Sequence, residues 1–301
     1  MVSTRSKVSS AEEAVLSIEP ESELTVGGFA HTLVPLALIR ALINSGRGPF
    51  DLAALGEAWA AELLAAAGLL RRVRLSNFMF EGWGRCRSFS RAVEQGTVAV
   101  KDFSHLAMAI GYLAGGWNLD SISIRSLSGS DMAPEVPRNR RYTVRPIRPD
   151  VALIHVHQAD ERGNAQIYGP LGAAPQQAIA AKRVIVSAER IVSEREIAKR
   201  PQSTVIPGFL VSHVVEAPFG AHPTGMYGVY DTDFEHVDSY IRSSRDERSV
   251  RLYIERYVVG KVHRDYLTQV GIRRLLTLRA EPGFGYSPAL RRRFFRGAPA
   301  L

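Results

Sequence analysis

From residue 23 onward, short apolar segments that read as strands alternate with segments that read as helices, and this alternation leaves few folds open. "ELTVGGFA" is a strand that breaks into two glycines, and "LVPLALIRALINSG" is a helix closed by Gly46. "LAAL", "RRVRLSNF", "VAVKDFS" and "ISIRSL" repeat the strand theme, with the helices "WAAELLAAAG", "SFSRAVEQG" and "LAMAIGYLAGG" between them. Further on, "DVALIHVHQADERGNAQIYG" is a buried strand, a polar turn at Gly163-Asn164 and a second strand. "RVIVSAERIV" and "GFLVSHVVEAP" are two more strands, the first flanked by helices, the second of which ends at Pro201. Ahead of all this, residues 11–19 read as a short helix with Ser10 as N-cap and Glu13 completing a capping box. Such an order predicts an α/β fold with an open, largely parallel sheet flanked by helices. Ligands of such sheets sit at the C-terminal ends of the strands, which directs attention to the loops beginning at Gly27, Glu57, Ser128 and Pro218.

A chain of 301 residues, 46% hydrophobic and 23% charged, has the make-up of a soluble globular protein with a substantial core. The single Cys86 excludes a disulfide within the chain, which suits a reducing cytosol. No apolar run approaches the ~20 residues that cross a bilayer, and "MVSTRSKVSSAEEAVLSI" lacks the apolar core of a signal peptide. The expectation is a cytoplasmic protein with no membrane partner. Four Pro and five Arg in residues 132–149 mark an extended connector or arm. The net charge of +8 is unevenly placed, with four Arg and no acid in a basic C-terminal tail at 289–301. That tail suits solvent, a partner, or the phosphates of a nucleotide-like cofactor; no nucleic-acid-binding motif accompanies it.

The candidate chemistry is sparse. His155, His157, His213, His222 and His236 lack any specific ligand spacing, so no metal is expected. "SGSDM" is a poor nucleophile elbow, and "GGF" is no dinucleotide fingerprint. The Gly27-Gly28 turn before a helix serves either tight packing or an anion or oxyanion site. Cys86, in "WGRCRSF", is either a buried structural thiol or one with a lowered pKa. Among carboxylates, Glu57 follows a strand end, Glu81 sits among aromatic residues that would desolvate it, and Asp102 follows a strand where it would also cap the next helix. The stretch "VVEAPFGAHPTGMYGVYDTDFEH", residues 214–236, is a long aperiodic segment of the sort that carries function.

"PDVALIHVHQADERGNAQIYG", "AKRVIVSAERIVSEREI", "VIPGFLVSHVVEAPFGAHPTGMYGVYD", "VPLALIRALINSG" after "VGGF", and "EPGFGYSP" near the end together resemble the α (A) subunit of family I CoA-transferases, the glutaconate CoA-transferase branch above all. The resemblance runs from about residue 10 to 288 and treats residues 1–301 as one CoA-transferase α-subunit domain. It implies a heterotetramer or larger assembly with a β subunit, and an active site at the interface. CoA and acyl-CoA would be substrates, with no permanently bound cofactor. The attacking glutamate would lie on the β subunit, carrying first an acyl anhydride, then a CoA thioester. Here Gly27, Gly28 and Phe29 would border the acyl pocket, with Ser128, Gly129 and Ser130 nearby. Phe219, Gly220, His222 and Tyr227 would form a loop that faces the partner and borders the site. Two departures stand out. "GEAWAAELL" replaces a small glycine-rich stretch and puts Glu57 roughly where the related β-type half has its nucleophile, while "NFMFEGWGRCRSF" is bulkier than a small dicarboxylate pocket needs. A CoA-dependent hydrolase or a decarboxylase on the same scaffold is the alternative reading.

Overall fold

The computed structural model describes residues 6–290, so most of the basic tail expected at 289–301 lies outside the described residues. Helix α1 (Ala11–Leu16) opens with the expected capping box: Glu13 N–H donates to the Ser10 hydroxyl while Ser10 N–H donates to the Glu13 carboxylate. Four β-α steps follow. They are β1 (Glu23–Val26), α2 (Leu36–Asn44), β2 (Phe50–Leu55), α3 (Trp59–Ala66), β3 (Leu70–Ser76), α4 (Arg87–Glu94), β4 (Ala99–Asp102) and α5 (His105–Gly116). After an arm carrying β5 (Ile122–Ile124) and β6 (Tyr142–Val144), the chain re-enters the body as β7 (Val151–Val156). The hairpin β8 (Gln158–Ala159) and β9 (Ala165–Gln166) leads to α6 (Ala174–Ala180), β10 (Arg183–Ala188), α7 (Glu194–Ala198), β11 (Thr204–Ile206) and β12 (Val211–Glu216).

Seven strands form one parallel sheet in the order β12-β10-β7-β1-β2-β3-β4. The chain therefore grows outward from β1 in one direction, returns, and grows outward from β7 in the other. The adjacent pair β1/β7 is the point of reversal, where the two flanking loops diverge and leave a crevice. Because side chains alternate across a strand, both faces of β2 need cover. Leu52 and Ala54 join the core beneath α2, α3, α8 (Phe234–Ser243) and α9 (Glu247–Tyr257), while Ala53 and Leu55 pack with Met108 and Tyr112 of α5. The parallel sheet expected from the alternation is thus borne out.

Three local expectations need correction. The segment "ISIRSL" supplies β5, but that strand pairs antiparallel with β6 and stays outside the main sheet. The loop beginning at Ser128 is therefore the turn region of an arm and not a strand end of the parallel sheet. The strand read over 183–192 stops at Ala188, and Glu189 turns inward toward the loop after β12. Four helices that the strand–helix alternation did not anticipate, α8, α9, α10 (His263–Val270) and α11 (Ile272–Thr277), follow that loop, and α8 and α9 cover α3. No helix among the described residues is long and apolar enough to cross a membrane.

A buried acid joins the two helical layers. Glu62 on α3 accepts hydrogen bonds from the backbone N–H of Ser88 (3.0 Å) and Phe89 (2.9 Å), the first turn of α4, and from the Tyr240 hydroxyl of α8 at 2.8 Å. It fills the role a cap residue would have, since the N-cap Cys86 makes no side-chain cap bond. Truncating it orphans three buried donors at once. Glu62→Ala should cost about 3 kcal/mol or more, and Glu62→Gln, which keeps an acceptor, clearly less. Urea unfolding of the two variants checks this; an alanine variant as stable as the parent would contradict it.

Candidate functional site

At the β1/β7 reversal the chain leaves β1 through Gly27-Gly28-Phe29. Gly27 N–H still donates to Leu153 O of β7 at 2.8 Å. Gly28 has φ +99, and a Cβ there would meet the Thr32 carbonyl oxygen at 2.7 Å, so the tight turn needs glycine. Phe29 and Thr32 then close on each other through paired backbone bonds of 3.0 Å. The start of the following helix is closed over by the chain itself: Leu36 N–H donates to Val34 O at 2.7 Å, Ala37 N–H donates to Gly220 O at 2.8 Å, and Leu36, Ala37 and Leu38 are buried. Of the two readings of the glycine turn, packing describes this helix end.

His31, which nothing in the sequence pattern singles out, ties the turn to its surroundings. Its Nδ1 accepts from Trp59 Nε1–H at 3.0 Å, which makes Nε2 the protonated nitrogen, donating to Glu81 O at 3.0 Å. Its own carbonyl accepts from Gly225 N–H (2.8 Å) and the Thr232 hydroxyl (2.9 Å). Leu33 N–H returns a bond to Gly225 O at 2.9 Å.

The long loop after β12 is thereby drawn inside the chain. Glu189, just past β10, accepts from Phe219 N–H (2.9 Å), Gly220 N–H (3.2 Å), the Tyr230 hydroxyl (2.7 Å) and His155 Nε2–H (2.8 Å). Burial opposes its charge, but the bonds from His155, Tyr230 and Phe219 more than offset this and hold the carboxyl below its ordinary range. Asp233 fastens the far end, accepting from His222 Nε2–H (3.1 Å), Arg274 Nε–H (3.0 Å) and His236 N–H (3.0 Å). Phe219, Gly220 and His222, expected to face a partner, are instead buried, because their backbone and ring donors are spent on these two acids. Tyr227 is the member of that set that stays exposed.

The other candidates fall in different places. Glu57 is fully buried: its Oε2 accepts from Ala60 N–H at 3.0 Å, its Oε1 has no partner, and burial pushes its pKa up to about 7. Glu81 is exposed, not desolvated; its aromatic neighbours pack on His31 and α8 instead. Asp102 is exposed on the edge strand, and Ser104, not Asp102, caps α5. Cys86 is buried, and burial first, then the charges of Glu62 and Glu57, push its thiol pKa up, which excludes the activated-thiol reading. In the arm, Ser128 and Ser130 donate to Arg140 O and Leu127 O, and Gly129 N–H donates to Val136 O, so this trio holds the arm's own turn. His155 and His157 bond to Glu189 and to Tyr227 O, and His213 pairs with Ser212. His222, Asp233 and His236 have metal-like spacing, but the Arg274 guanidinium and the hydroxyls of Tyr266 and Tyr253 already occupy their polar atoms.

What remains at the strand ends is a cleft of 440 Å³ walled by Phe29, Leu33, Met226, Tyr227, Phe234 and Tyr286, with Glu81 and Asp231 on its lining. The buried histidines behind it make stability sensitive to acid. Burial chiefly keeps His157 and His236 neutral, down to about 4 and about 3, against 6.5 for an open chain. Below pH 6.5 the unfolded state takes up protons that the fold refuses, so their contribution is complete above 6.5 and declines as the pH falls. Glu57 acts in the opposite sense: its contribution is complete below 4.5 and is lost as the pH rises toward 7. Taken by themselves, these two histidines against one carboxyl give a loss of up to roughly 1.4 kcal/mol per pH unit on acidification across the window they share, and the lowered pKa of His263 acts in the same direction. The urea midpoint should fall between pH 6.5 and pH 4.5 and fall more steeply in Glu57→Gln; a midpoint that rises on acidification would contradict this.

A family model described as Coenzyme A transferase matches residues 8–217. Among known relatives, an uncharacterized protein of Archaeoglobus fulgidus is 36% identical over 297 residues, which is 92% of this chain and 66% of that longer protein. The A-type subunit of glutaconate CoA-transferase from Acidaminococcus fermentans is 28% identical over 320 residues, covering 93% of this chain and 97% of the relative. The crystal structure of glutaconate coenzyme A-transferase from the same organism superposes with a TM-score of 0.89 at 26% identity, over 94% of this chain and 98% of that one. The reversal-point cleft, the glycine turn beside it and the extent of the family match lead to one conclusion: the chain belongs to the coenzyme A transferase family.

Proposed function

We propose that this chain is the α-type subunit of a heteromeric CoA-transferase, moving CoA from an acyl-CoA thioester to a carboxylic acid. The observation that carries the reading is how the acids are placed. A carboxylate nucleophile works when it is desolvated and open to the thioester. The two acids on the cleft, Glu81 and Asp231, keep contact with water, while the desolvated one, Glu57, is sealed and caps α3. The attacking glutamate is accordingly assigned to a β subunit docked over the cleft, in an assembly such as α2β2.

On that assignment the partner glutamate attacks the thioester carbonyl and CoA leaves as a thiolate, giving a mixed anhydride. The thiolate then attacks the glutamyl carbonyl and releases the first acid. The acceptor carboxylate attacks the resulting glutamyl-CoA thioester, and the returning thiolate takes the new acyl group. The role of this chain is to hold the acyl body against the Gly27-Gly28-Phe29 turn and to exclude water through the rim at Tyr227. CoA enters as substrate, and the cytoplasm, where acyl-CoA is made and used, is the setting that fits.

A trapping experiment tests the proposal. The chain purified with its β-type partner is incubated with an acyl-CoA donor, treated with borohydride or hydroxylamine, and each polypeptide is weighed by intact mass spectrometry. The expected result is a modified glutamate on the partner. Modification of Glu57 or Glu81 would overturn the placement of the nucleophile, and thioester consumption with no trapped glutamate would favour the hydrolase or decarboxylase alternative.

A further inference from the structure

The cleft also specifies an acyl group, on the CoA-transfer reading given above. Three aromatic rings stand around it with much of their surface in water: Phe29 is 38%, Tyr227 46% and Tyr286 37% exposed. Single exposed apolar side chains are ordinary, but several converging on one concavity mark a binding surface. Two of these rings are seated by positions that have no room for a side chain. A Cβ on Gly56 would come within 2.3 Å of the Phe29 ring, and one on Gly169 within 2.6 Å of the Tyr227 ring. His157 Nε2–H fixes the Tyr227 carbonyl from behind at 2.8 Å. The rings are held toward the cleft, and the buried side chains of Leu33 and Met226 continue the apolar wall.

The charge on the lining has one sign. Glu81 and Asp231 both border the cleft, Asp231 anchored by Ser287 N–H at 2.8 Å, and no Lys or Arg lines it among the described residues. A second carboxylate on the acyl chain would enter beside two acids and lose its hydration without gaining a counter-charge from the described lining. An aromatic or alicyclic body would instead gain ring contacts and apolar burial in a volume suited to it.

We infer that the site takes acyl-CoA thioesters whose acyl part is bulky and apolar, aromatic or alicyclic, and discriminates against dicarboxylic acyl groups, with Phe29 and Tyr227 setting the preference. The test uses the complex with its β-type partner, with phenylacetyl-CoA and glutaryl-CoA as donors and acetate as acceptor. Acetyl-CoA formation and calorimetric binding of each thioester are both measured. The expected kcat/KM and affinity favour phenylacetyl-CoA by about tenfold or more. Tyr227→Ala should lower kcat/KM and affinity for phenylacetyl-CoA by a much larger factor than for glutaryl-CoA, a split that a folding defect would not produce. Glu81→Arg, which alters only a side chain on the lining, should raise the affinity for glutaryl-CoA. Transfer that favours glutaryl-CoA, or that treats the two donors alike, overturns this inference and leaves CoA transfer standing. Absence of transfer from either donor overturns the CoA-transfer reading, and the binding ratio then still decides the acyl preference.

Discussion

The carboxylate of Glu189 is the interaction on which the rest of the site depends. It stands just beyond β10 and gathers two backbone amides, a tyrosine hydroxyl and a histidine from the loop after β12 and from β7. A buried ion of this kind is tolerated only when its lone pairs are used, and here they are. By holding Phe219 and Gly220 it fixes the carbonyl that caps α2, and the same loop then meets the glycine turn at Gly225. The loop after β12 and the turn after β1, far apart in sequence, become one wall.

Acids in this chain divide by job. Glu62, Glu189 and Asp233 are buried or nearly so and spend their oxygens on amides, hydroxyls and guanidinium groups, so they are fasteners. Glu57 is a partial case, bonded through one oxygen and left with a raised pKa because the other has no partner. The acids that do meet the cleft are the hydrated ones. A chain built this way is suited to shape and hold an acyl group, with the reacting carboxylate brought by another surface.

The sequence made the sheet legible because its signals are local. Apolar runs of strand length, the Ser10–Glu13 capping box and the glycines after β1 each act within a few residues, and each stands where expected. The site was less legible because its bonds are long-range. Nothing near Glu189 or His31 tells that one will bond 30 residues away and the other will clamp Trp59, Glu81 and Thr232. The loop at 214–236 was singled out by its lack of periodicity, yet most of it is buried, because it is held by Glu189, which lies outside the segment, and by Asp233 within it, whose partners its composition does not reveal. The Ser128 loop misled for a simpler reason: strand periodicity cannot tell a strand of the main sheet from one in a two-stranded arm.

The central claim is that this chain supplies the wall against which the acyl group lies. The most direct measurement is photoaffinity labelling of the assembled enzyme with an acyl-CoA that carries a diazirine on its acyl part, followed by peptide mapping. Labelling should fall on the segments 27–33 and 225–232, at the glycine turn and the loop locked onto it. Labelling confined to the partner, or to the arm between β5 and β6, would contradict the account.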